Sequence, residues 1–161
     1  VVNVLATVSL GPATYQLRRA TSADLPGIVD LLADDPLGAT RESAADLAPY
    51  RAAFAAIDAD PAHLLVAATC GDHVVGTVQL TFLPGLSRRG ALRAQIEAVR
   101  VHEQHRGHGL GGAMVRWCLS EARRRGCALV QLTSDKQRPE AHRFYERLGF
   151  TASHEGFKLA L

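Results

Sequence analysis

The alternation of apolar and polar positions, and its change to helical spacing, divides the chain into short elements. Tyr15–Arg19 alternates and predicts a strand. Thr21-Ser22-Ala23-Asp24 then offers a helix start, and Leu25, Ile28, Val29 and Leu32 follow at helical spacing until Pro36 and Gly38 break the pattern. A second helix is predicted over Ala44–Asp58, with Leu47, Tyr50, Ala53, Phe54 and Ile57 on one face and Pro61 as its stop. His63–Thr69 and Val74–Phe82 are apolar runs on either side of Gly71-Asp72, which reads as a hairpin. After the polar loop Pro84–Gly90, Ala91–Val101 predicts another strand. The longest helix opens after Gly107, with Leu110, Met114, Trp117, Cys118 and Glu121 along one stripe, and Gly126 ends it. Ala128–Thr133 is a predicted strand. Pro139–Leu148 is a short helix with Pro in its first turn and Gly149 past its end, and Phe150–Ala152 and Phe157–Leu161 are a predicted closing pair of strands. This order implies one mixed α/β sheet with helices on both faces. Val1–Leu10 is mildly apolar but lacks a basic n-region and a cleavage site, so residues 1–14 are expected to be a loosely attached leader before a single domain over 15–161.

The totals narrow the class. At 161 residues, the chain is the size of one domain and should bury about 70% of its unfolded surface. Apolar residues at 47% and charged residues at 21% are ordinary for a globular protein, and a net charge of +2 is too small to imply a nucleic-acid or membrane partner. The basic run Arg123-Arg124-Arg125 closes a predicted helix, where cations suit the macrodipole. Cys70, Cys118 and Cys127 form no CxxC pair, which points to a reducing, cytoplasmic setting, and Cys118 and Cys127 read as small buried hydrophobes. No stretch approaches the apolar length of a membrane span.

The chemistry gathers where the strand ending at Val101 runs through Gln104-His105-Arg106-Gly107-His108-Gly109-Leu110-Gly111-Gly112 into a helix. Glycines remove Cβ atoms from a turn that a ligand must approach closely. The first helical turn offers unpaired N–H groups and about half a positive charge. Together they make an anion site suited to phosphate oxygens, with His105 and Arg106 at its rim. Gly107, Gly109 and Gly112 also satisfy GxGxxG, and Asp135 follows some twenty residues on, so a dinucleotide-dependent oxidoreductase stays open as an alternative. Against it, that fingerprint normally opens its domain, whereas here only one further strand-helix-strand unit follows. No Gly-Lys-Ser/Thr is present for a P-loop. His102, His105 and His108 repeat every third residue, but in a turn that spacing guarantees no common face, and no metal is expected.

Gln104-x-x-Gly107-x-Gly109 after a strand, and Ala141-His142-Arg143-Phe144-Tyr145-Glu146-Arg147-Leu148-Gly149-Phe150, together resemble the two signatures of the GNAT superfamily of acetyl-CoA-dependent N-acetyltransferases. The likeness is closest from Gln95 onward, and Gln16–Thr21 leading to Asp24 is similar to the family's first strand and helix. The resemblance implies a central, mostly antiparallel twisted sheet of about six to seven strands with about four helices. It implies that the edge of Val99, Arg100 and Val101 pairs with the pantetheine amides of acetyl-CoA. The amides of Arg106, Gly107, His108, Gly109, Leu110, Gly111 and Gly112 would hold its pyrophosphate, and Tyr145 would lie near the thioester sulfur. Arg138 stands where many relatives carry Asn, so any contact of that position with the cofactor falls to Arg138.

Attack by an amine on a thioester needs the amine neutral, and a lysine-like amine of pKa about 10.4 is only about 0.04% neutral at pH 7. A base therefore helps. Glu97 is the candidate: Gln95, Glu97 and Val99 share a face by alternation, and some relatives place a carboxylate four residues before the position of Val101. Tyr145 is the candidate acid for the leaving thiolate, and a strand amide near Val99 could steady the carbonyl oxygen as it gains charge. No covalent acyl-enzyme is required. Arg88, Arg89 and Arg93 lie where a substrate rim is expected and would complement an acidic acceptor. The expected partners are acetyl-CoA and a small amine, with no nucleic acid and no membrane; a homodimer and a non-catalytic acyl-CoA-binding sensor stay open.

Overall fold

A computed structural model describes residues 2–161. They fall into two compact units, one running to Gln131 and one over Leu132–Leu161. In the first, six strands lie side by side in chain order: β1 (Val4–Leu10), β2 (Ala13–Arg19), β3 (His63–Cys70), β4 (His73–Leu83), β5 (Arg93–Val101) and β6 (Leu129–Gln131). All neighbours are antiparallel except β5 and β6. The helices of this unit are α1 (Leu25–Ala33), α2 (Ala48–Ala59) and α4 (Leu110–Arg124); α3 (Ser87–Gly90) is a single turn in the β4–β5 loop, with Arg88 and Arg89 at positive φ. The mixed α/β sheet is as expected, with six strands.

Two faces of β3 carry two helical layers. Ala67 packs with Ala20 and Ile28 of the α1 side, joined by Leu32, Phe54, Leu65 and Val74. On the opposite face, a Cβ at Gly76 would meet Ala68 Cβ and Met114 Sδ, each at 3.2 Å, so α4 presses there and the glycine makes room for it. Leu110, Met114, Val115, Cys118 and Ala122 form the buried stripe of α4. Burial of Leu17, Val66, Val78 and Leu80 between these layers supplies the main driving force.

The expected leader is corrected. Val4–Leu10 is a full strand, paired Leu10↔Ala13 through Val4↔Arg18 across Gly11-Pro12. Gly11 has φ 59, the positive φ that tight hairpin turns require, and six residues of ladder tie the segment down. The signal was present as two apolar runs around Gly-Pro.

The second unit holds α5 (Pro139–Arg147), with Pro139 in its first turn and Gly149 at φ 96 beyond its end. Tyr145 sits edge-on between Phe144, at 5.0 Å, and Phe150, at 5.8 Å, and Phe150 N–H bonds back to the Tyr145 carbonyl. The closing strands predicted at Phe150–Ala152 and Phe157–Leu161 are not formed. Phe157, Leu159 and Leu161 alternate like a strand, yet all three are exposed, and without a ladder partner the alternation alone stabilises nothing. β6 is likewise shorter than predicted, ending at Gln131.

Candidate functional site

The site starts from β5. Its far edge pairs with β6 only at Arg93, Ala94 and Gln95, so beyond Ile96 no described strand covers it. His102 N–H turns back to the Val75 carbonyl at 2.8 Å. By alternation, Val99 and Val101 present their amides to the open edge. Their carbonyls already accept there: Arg100 Nη1 donates to Val99 O at 2.9 Å and Arg106 Nε to Val101 O at 2.8 Å.

A bulge at Ala98, φ 52, changes which residues share a face. The register runs from Gln79↔Glu97 to Thr77↔Arg100, so Val78 of β4 alone opposes both Ala98 and Val99 of β5. Glu97 therefore shares its face with Arg93, Gln95 and Arg100, not with Val99, which corrects the alternation expected from the sequence. Glu97 is exposed on the α1–α2 side of the sheet. Arg100 Nε lies 2.9 Å from Asp35 Oδ2, both largely buried, and this pair ties the end of α1 to β5.

The chain then turns through Glu103–His105 to the start of α4. Tyr15 OH and His105 Nδ1 are 3.0 Å apart, which holds the turn against β2. Arg106 reaches Asp34 Oδ2 at 3.4 Å from the exposed rim. Gly107 and Gly109 take φ 77 and 93, a region that costs other residues steric strain. A Cβ at Gly107 would meet nothing within 4 Å, so its surface is open to approach. Gly109 caps α4 with no side chain, and Ala113 N–H is the first to bond back, to Gly109 O at 3.0 Å. The amides of Leu110, Gly111 and Gly112 precede it, with no acidic side chain in that first turn. The first turn is thus an electropositive cradle.

In the second unit, Arg138 is the N-cap residue of α5, and the half-buried Tyr145 lies in its aromatic cluster. Cys118 is fully buried, and burial pushes its thiol up to about 12, so it offers no thiolate at neutral pH. Cys127 is only half-buried, less than its strand pattern implied. Among the described residues, no group of His, Cys, Asp and Glu could hold a metal, and no helix is long and apolar enough to cross a membrane.

Asp34 and Asp35 went unnoticed in the sequence. Carboxylates at a helix C-terminus oppose its dipole, so two in succession after α1 were a signal that cations lie opposite.

Residues 25–150 match the model of the Acetyltransferase (GNAT) family. The chain is 31% identical over 147 residues, 91% of each protein, to an aminoalkylphosphonate N-acetyltransferase of Salmonella typhimurium. A Bacillus halodurans C-125 structure described as a transcriptional regulator is 47% identical with a TM-score of 0.89, covering 91% of this chain and 99% of that one. A putative acetyltransferase from Agrobacterium tumefaciens is 32% identical with a TM-score of 0.80, covering 90% and 99%.

Proposed function

The chain belongs to the GNAT acetyltransferase family and is an acyltransferase, and on that premise we propose that it moves an acetyl group from acetyl-CoA to a primary amine of a small molecule or peptide by direct attack. The observation that carries the reading is the glycine-capped start of α4 at the end of the open β5 edge. In this reading the amides of Arg106 through Gly112 hold the pyrophosphate. The edge at Val99–Val101, where Arg100 is held by Asp35, pairs with the pantetheine. Arg138 is a further cofactor contact at the start of α5.

Glu97 takes the proton from the attacking amine, directly or through water. Its exposure on the α1–α2 face leaves it open to an acceptor, which supports that role. Tyr145 protonates the departing thiolate, and its edge-on aromatic neighbours support a fixed ring orientation. The relative that acts on aminoalkylphosphonates supports a small-molecule acceptor.

A second reading, in which acyl-CoA binding also serves sensing, draws on the 47% identical relative described as a transcriptional regulator. Thermal shift with acetyl-CoA and NAD, followed by free-thiol release across an amine panel, separates binding from turnover. The transferase reading expects stabilisation by acetyl-CoA but not NAD, and thiol release with at least one amine. Tyr145→Phe should lower kcat by about 10²-fold. Binding without turnover would leave only the sensing role, and no binding would reject both.

A further inference from the structure

One row of polar side chains crosses the sheet beside Glu97. The register aligns His63, Thr81, Gln95 and Gln131 across β3, β4, β5 and β6, and Arg93 leaves the same face of β5 as Gln95 and Glu97. They are linked in two groups. His63 Nδ1 lies 3.2 Å from Thr81 Oγ1, Arg93 Nη1 donates to Gln131 Oε1 at 3.4 Å, and Gln131 Nε2 donates to Gln95 Oε1 at 3.0 Å. Both glutamine oxygens are thus engaged by their neighbours, and what the row turns outward at this end is N–H: the remaining guanidinium donors of Arg93 and the amide nitrogen of Gln95.

Arg93 differs from the other engaged arginines on this unit. Arg18, Arg19, Arg100, Arg106, Arg124 and Arg125 each reach a carboxylate, whereas Arg93 forms no ion pair among the described residues. Its Nη2 lies 3.8 Å from where a Cβ on Gly85 would sit, so the guanidinium rests against the β4–β5 loop. That loop carries Arg88 and Arg89 in consecutive left-handed conformations, φ 55 and 59, which for non-glycine residues cost on the order of 1 kcal/mol each. A half-buried cation braced by neutral amides, under a strained loop with two more cations, is an arrangement suited to an anion that arrives from outside.

We propose that Arg93, braced by Gln131 and Gln95, receives an oxyanion carried by the acceptor, so that the preferred acceptors are short zwitterions: amines bearing a phosphonate, carboxylate or sulfonate. This rests on the reading above that the amine approaches Glu97. The two ends fit one compact molecule, because Arg93 Nη1 leans to Gln131, which the ladder sets level with Gln95, two residues or about 7 Å along the strand from Glu97. A planar guanidinium pairs with such a group through two parallel hydrogen bonds.

The test separates the anion from the amine. Methylphosphonate, which carries no amine, should stabilise the wild-type protein beyond an equal ionic strength of chloride, and Arg93→Gln should weaken that binding by about 10–100-fold, the range for hydrogen bonds to charged groups. In turnover, the kcat/KM ratio of 2-aminoethylphosphonate to propylamine should fall by a similar factor in Arg93→Gln, through KM. Arg93→Lys, which keeps the charge and loses the paired geometry, should retain part of the ratio. Methylphosphonate binding that is absent in the wild type, or equal in wild type and Arg93→Gln, overturns the proposal. Failure of every amine to release thiol would instead reject the transferase reading, and the methylphosphonate arm would still decide the role of Arg93.

Discussion

Thr21 opens the 3-10 turn Ser22–Asp24 that leads into α1, Gly109 opens α4, and the chain treats the two starts in opposite ways. At Thr21, the backbone N–H and Oγ1 reach Asp24 Oδ2 at 2.7 and 2.9 Å, and Arg18 grips the same carboxylate through two bonds of 2.6 Å. At Gly109, no side chain caps the helix, no acid enters the first turn, and two positive-φ glycines keep the approach clear. The orphan amides of a helix start carry the same partial charge in both places. A carboxylate from the chain itself turns that charge into a brace between β2 and α1; at Gly109 no side chain answers it, and it faces the open surface. The contrast explains why one start is among the most buried polar features of the fold, with Asp24 6% exposed, and the other lies open.

The largest effect should come from opening the closed start. Asp24→Ala leaves Arg18, itself 13% exposed, without its partner, and should cost about 3–5 kcal/mol of unfolding free energy in urea titration. Acetyl-CoA affinity of the folded fraction should be unchanged; if it falls in parallel, the two starts are not independent. Closing the open start is the converse. Gly111→Asp puts a carboxylate in the first turn of α4 and should weaken acetyl-CoA binding by about 100-fold in calorimetry without lowering Tm, since acids favour that position. Gly111→Asn, of equal size and neutral, should lose far less. Equal losses would mean crowding, not charge.

The smallest effect concerns pH. Burial alone would raise the Asp24 carboxyl, but the Arg18 guanidinium and the Thr21 donors outweigh it and hold it below its ordinary value. Stability from this group is therefore fully present above the unfolded carboxylate range of about 3.9 and is lost as pH falls through the lower folded value. Acid titrations should show Asp24→Asn losing less stability than wild type below about pH 4. Parallel acid limbs would remove the group from that role.

Much of the fold was legible because its elements have strong periods and clear punctuation. The stripe Leu110, Met114, Cys118 and the hairpin about Gly71-Asp72 could be read directly. The Gly107–Gly112 turn was legible for the same reason: glycines before an apolar stripe have few structural explanations. The bulge at Ala98 was not, because alanine carries no mark of a left-handed φ; only the pairing of β5 with β4 reveals it. That one residue moved Arg100 onto the face of Glu97 and turned Val99 to the edge. The Arg93–Gln131–Gln95 chain was equally hidden, since Gln131 stands 36 residues from Gln95 and meets it only in a parallel ladder.

By itself, then, the order of residues determined most of the central elements, their sequence, and the glycine-rich opening of α4, because periodicity and glycine placement act over a few neighbouring positions. The tertiary structure alone decided which cations are spent on internal carboxylates, which edge stays unpaired, and which side chains share a face. Those outcomes depend on register and on contacts between distant segments, and no local pattern encodes them.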